Sequence, residues 1–99
     1  MGVRSCEVSF KDHRGMKHSV TVDAETLNEA VVMAVVLFRK NPWIEPVGRG
    51  TLLDIEVREP GSKHSLTLAH VERWIDAGVG TPADQARKAR LKMLLVQGG

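Results

Sequence analysis

The feature that most constrains this chain is an unbroken run of nine apolar residues, Ala30-Val31-Val32-Met33-Ala34-Val35-Val36-Leu37-Phe38, bounded by Glu29 and by Arg39-Lys40. Its four valines suit a strand, but its flanks favour a helix. Thr26-Leu27-Asn28-Glu29 has the Thr-x-x-Glu form, in which a hydroxyl and a carboxylate satisfy the free N–H groups of a first helical turn. Asn41-Pro42 stops the helix, because proline disfavours helical backbone in the residue before it. Glu25 and Glu29 near the start, with Arg39 and Lys40 at the end, match the signs of the helix dipole. A length of about 14 residues also exceeds a typical strand. These signals predict a helix from Leu27 to Lys40. Apolar on every side, it must bury more than one stripe.

Strand patterns lie on both sides of it. Cys6, Val8 and Phe10 alternate with Ser5, Glu7, Ser9 and Lys11, the period of a sheet with one wet face, which predicts a strand over Arg4 to Lys11 with Cys6 buried. Asp12-His13-Arg14-Gly15 reads as a turn, with Gly15 free to take positive φ. Met16 to Val22 follows as a second strand, Val20 and Val22 inward. Leu52 to Arg58 and Lys63 to Leu68 form a second pair around the Glu59-Pro60-Gly61-Ser62 turn, where Pro-Gly signals type II. Val71, Trp74 and Ile75 make a helical stripe, and Gly78 is placed to end it. Thr81-Pro82-Ala83-Asp84 then supplies an N-cap, a proline at the first helical position and a carboxylate three residues on, predicting a last helix over 82–95.

Lys17-His18-Ser19-Val20-Thr21-Val22 and Lys63-His64-Ser65-Leu66-Thr67-Leu68 match except for leucine in place of valine. Each follows a turn and an alternating strand, and each precedes a helix. Duplication and ordinary strand chemistry both account for this. The fold expected is α+β: a ββαββα plan with a four-stranded, mainly antiparallel sheet, helices on one face, and an extra C-terminal helix. At 99 residues it reads as a single domain, 1–99, with half-repeats 3–41 and 51–78.

Composition narrows the classes. The chain is 42% hydrophobic and 26% charged, with a formal charge of +2, ordinary for a soluble globular protein. The apolar run is shorter than the ~18 to 20 residues of a membrane span. No apolar segment follows the N-terminal residues as in a signal peptide, and Cys6 stands where a myristoylation motif wants Ser or Thr. One cysteine excludes an internal disulfide and is compatible with a reducing, cytoplasmic setting.

Chemistry-bearing patterns are sparse. His18 and His64 start matching strands. A two-fold axis normal to the sheet would separate them by on the order of 20 Å, too far to share a metal. His13 falls in a turn and His70 in a first helical turn, and neither matches a zinc spacing. No serine has a Gly-x-Ser-x-Gly context, Cys6 is mid-strand, and Gly48-Arg49-Gly50 is no phosphate loop. No enzyme, metal or cofactor is expected. Arg87, Lys88, Arg90 and Lys92 are candidate nucleic-acid contacts, although at 100° per residue they spread around the helix, as a solvated basic helix would. The sheet's polar face has no aromatic for base stacking. Trp43 and Ile44, beside Pro42 and Pro46, read as a lid on the end of the long helix or as a knob for a partner.

Gly98-Gly99 at the end, after Met93-Leu94-Leu95-Val96-Gln97, together with a strand-strand-helix-strand-strand order, resembles the ubiquitin-like modifiers. The resemblance implies a final strand over Leu91 to Val96 and a tail activated for transfer. Against it, Thr81-Pro82-Ala83-Asp84 starts a helix whose propensity continues through Leu95. The reading adopted is a non-enzymatic interaction module that pairs with a protein partner or with itself as a homodimer. Val32, Val36 and Met33 cannot all face one sheet, and burying each is worth about 1.5–3 kcal/mol. Either the C-terminal helices cover them or a second copy does.

Overall fold

The computed structural model describes residues 3–44, 47–58, 61–77 and 81–97. Strands β1 (Arg4–Lys11), β2 (Lys17–Ala24), β3 (Leu52–Val57) and β4 (Ser62–Thr67) form one sheet in the order β2-β1-β3-β4, with every neighbour antiparallel. Helices α1 (Leu27–Arg39), α2 (Leu68–Asp76) and α3 (Pro82–Gln97) complete the ββαββαα order. The α+β fold read from the sequence is the one observed.

Local chemistry sets the element ends. Thr26 Oγ1 accepts the Glu29 N–H at 3.1 Å, and the Glu29 carboxylate accepts the Glu25 N–H at 2.7 Å, so the box closes on the residue before the cap. In α3 the exchange is reciprocal: Thr81 Oγ1 accepts from Asp84 N–H at 3.2 Å, and Asp84 accepts from Thr81 N–H at 3.3 Å. Leu68, expected to end β4, instead opens α2, because Thr67 turns its hydroxyl onto the His70 N–H at 3.2 Å and becomes the cap. Further shifts are that β2 runs on through Asp23 and Ala24, that Arg58 falls outside β3, and that α3 continues past Leu95 to Gln97. Gly15 takes φ of 82°, the only positive-φ glycine among the described residues, in the β1–β2 turn as expected. Glu59, Pro60, Gly78 and Gly98-Gly99 lie outside the described residues.

The alternation resolves into two faces. Cys6, Val8, Phe10, Val22, Leu53, Ile55 and Val57 are buried on one, and α1 lies across it through Ala30, Val31, Ala34, Val35 and Phe38. The Phe10 and Phe38 rings meet edge-on, 4.8 Å apart and 78° inclined. The other face carries Glu7, Ser9, Asp54, Glu56, Lys63 and Ser65 and is not covered by a helix. Helices α2 and α3 pack against α1 from the side away from the sheet's open face, with Val71 and Leu91 fully buried. Val32 is fully buried within the single chain, while Val36 and Met33 are half-buried.

The strand pairings obey an internal two-fold. Phe10 faces His18 and Val8 faces Val20 in the first hairpin, as Ile55 faces His64 and Leu53 faces Leu66 in the second. Under this correspondence Ser9 and Asp54 are equivalent, and they face each other across β1 and β3. The axis thus passes between them, normal to the sheet. It places His18 and His64 on opposite edge strands and at opposite ends. The repeated Lys-His-Ser stretch marks equivalent positions of this symmetry.

Candidate interaction surface

Antiparallel pairing gathers the end of β1, the start of β2, the start of β3 and the end of β4 at one end of the sheet. Helix α1 finishes there, because Phe38 meets Phe10 near the end of β1. Helix α3 finishes there too. Arg87 and Arg90, in its first nine residues, pair with Glu25 and Glu29 at the start of α1, both at 2.8 Å, and Arg39 at the end of α1 donates to the Leu95 carbonyl. That carbonyl belongs to the last turn of α3, where no intrahelical N–H is left to satisfy it.

The described chain exposes few large apolar side chains, and their placement is uneven. Met16, Leu37, Trp43, Leu52, Leu94 and Val96 are exposed at this end, with Met93 close by on α3. Val3 is the one large apolar side chain exposed toward the other end among the described residues. Trp43 is the extreme case at 91% exposed. Its backbone is fixed, since the Asn41 side-chain oxygen accepts the Trp43 N–H at 2.9 Å. The lid reading of Trp43 is therefore corrected. Proline and the Asn41 turn carry the chain away from the helix, so Ile44 packs against the core and Trp43 faces water.

A cleft of about 410 Å³ opens beside the same end, between α2, α3 and Arg49. Ile75, Leu95 and Val96 line it, and Arg49, Glu72, Asp76 and Lys92 are its polar residues. Arg49 Nε pairs with Glu72, and Lys92 Nζ lies 3.4 Å from Asp76.

Of the four basic residues of α3, Arg90 and Lys92 lie on its solvated side, 65% and 63% exposed, Arg87 is half-buried, and Lys88 is buried. Lys88 is 4% exposed, donates to the Ala77 carbonyl at the end of α2 at 3.1 Å, and sets its ammonium 5.1 Å from the Trp74 ring centre. With Arg87, Arg90 and Lys92 in ion pairs, all four are engaged within the chain, latching α3 to α1 and α2. Residue spacing on α3 could not reveal this, because the partners come from other elements.

Cys6, His18 and His64 are held locally. Cys6 is buried, and burial, with Asp23 adding, pushes its thiol up, away from the reactive thiolate. His18 Nε2 lies 2.9 Å from Asp12 Oδ2 and its ring packs on Phe10. His64 Nε2 lies 3.1 Å from Ser62 Oγ. Among the described residues, no group of three His, Cys, Asp or Glu is arranged to hold a metal ion. No described helix is long and apolar enough to cross a membrane. The stretch Leu91 to Val96 is helical, which removes the final strand that likeness to ubiquitin-like modifiers implies. Comparison with known proteins returns no match: no family model, no curated protein and no solved structure is similar to this chain.

Proposed function

We propose that this protein is an interaction module that self-associates through the end where α1, α3 and the 41–44 loop finish. The observation that carries the reading is the one-sided distribution of exposed apolar side chains, with Leu37, Trp43, Leu94 and Val96 on neighbouring segments of one end. Isolated surface hydrophobics are ordinary, whereas a concentration of them marks a contact surface. Of the basic residues that would have served a nucleic-acid partner, Lys88 is buried, and Arg87, Arg90 and Lys92 each face a carboxylate of the same chain, which favours a protein partner over a phosphate backbone.

The test is molar mass by size-exclusion chromatography with light scattering, from about 1 to 200 µM, the range in which modest interfaces assemble. The expected result is a dimer that dissociates on dilution. Leu37→Glu and Leu94→Glu, both at exposed positions, should give monomers with unchanged far-UV circular dichroism. A strict monomer throughout this range would sink the proposal.

A further inference from the structure

We infer that the self-association is a reciprocal exchange, in which Trp43 of each copy inserts into the cleft between α2 and α3 of the other; this rests on the self-association proposed above. Within one chain Trp43 is 91% exposed, so it does not fill its own cleft. An indole is a broad apolar plate with one N–H donor, and it needs an apolar seat with an acceptor at the edge. The cleft supplies both. Ile75, Leu95 and Val96 form an apolar lining, and the carboxylates of Glu72 and Asp76, each facing a cation of the cleft, keep further oxygen lone pairs to accept. Arg49 and Lys92 add cations, which are attracted to an aromatic face. A volume of about 410 Å³ accommodates the ring.

Geometry supports the reciprocity. Knob and cleft belong to the same end of the molecule, an arrangement in which a single two-fold rotation can bring each knob to the other copy's cleft and close the contact as a dimer. Trp43 is also prepared for the role. Its backbone N–H is tied to Asn41, so docking orders little more than its two side-chain torsions. Large aromatic residues seated in pockets are the ones that dominate interface energetics.

The experiment uses Trp43 as its own reporter. Trp74→Phe leaves Trp43 as the sole indole, and its emission should move to shorter wavelength as protein concentration rises and light scattering records the dimer. Val96→Glu, at a 75% exposed position, adds a carboxylate to the cleft and should weaken dimerisation about 30-fold or more, as truncating Trp43 to alanine should. Complementation then separates exchange from general loss of surface. A Trp74→Phe/Val96→Glu chain is titrated with a tryptophan-free chain carrying Trp43→Ala and Trp74→Phe, whose cleft is intact. The emission of Trp43 should shift, and no shift should follow when the tryptophan-free chain also carries Val96→Glu. Circular dichroism of each variant establishes that it is folded. A Trp74→Phe dimer in which the Trp43 emission stays that of a hydrated indole overturns the exchange and leaves self-association standing. A monomer at every concentration overturns both.

Discussion

Asp12 shows how much one side chain decides locally. One carboxylate oxygen accepts the N–H groups of Arg14 at 2.9 Å and Met16 at 3.0 Å, and the other holds His18. The His18 hydrogen bond, helped by those from the Met16 and Arg14 backbone, outweighs the upward push of burial and keeps its carboxyl below the ordinary carboxylate range. A folded-state pKa below the unfolded one contributes stability that is fully present above the unfolded value, about 3.9. That contribution is lost as pH falls through the folded value. Asp12→Asn should therefore melt below the parent at pH 5, and the gap between the two should narrow as pH falls below the unfolded value of about 3.9; an offset that stays constant as the solution is acidified would refute this assignment. Lys88 gives a second prediction. Lys88→Met keeps the packing but loses the Ala77 carbonyl and the Trp74 ring as partners. Chemical denaturation should show a loss of about 1–2 kcal/mol. A change within about 0.5 kcal/mol would reduce Lys88 to its hydrocarbon stem.

Among the elements, α1 carries the contrast between buried and exposed most sharply. Phe38 is almost fully buried against Phe10, and Leu37 beside it is 40% exposed. Phe38→Ala should cost about 3–5 kcal/mol in denaturant titration. Leu37→Ala should cost under about 1 kcal/mol in the monomer; equal costs would place the helix in the wrong rotation. The helix was legible in sequence because its evidence is local: caps, charges at its ends and a proline stop act within a few residues. The strands were legible because alternation is local too. The α2 boundary was missed because Leu68 suits either element, and only the Thr67 hydroxyl reaching His70 N–H decides between them. The lid reading of Trp43 failed for a related reason: its own neighbours specify a turn but not whether anything lies above it. The roles of Arg87, Lys88, Arg90 and Lys92 were beyond reach, because Glu25, Glu29, Ala77 and Asp76 become their partners only once three helices are assembled.

For the whole molecule, the proposed self-association would link stability to concentration. A species that binds only in its folded form raises its own melting temperature by mass action. The midpoint of thermal unfolding should climb by several degrees between about 5 and 200 µM, and Leu37→Glu should abolish the climb; a midpoint independent of concentration counts against the dimer. The internal two-fold of the sheet adds one further consequence. That axis interchanges the two ends of the β-layer, so a body built from the two ββα halves alone would have ends alike and, if one were adhesive, two adhesive ends. Units with two such ends thread into filaments of indefinite length. Helix α3 has no counterpart in the other half and runs from one end to the other, parallel to α1. It makes the ends unlike. On the proposed reading, the last helix, by breaking the symmetry of the layer beneath it, would set the valence of the particle at one, so that assembly would stop at a pair.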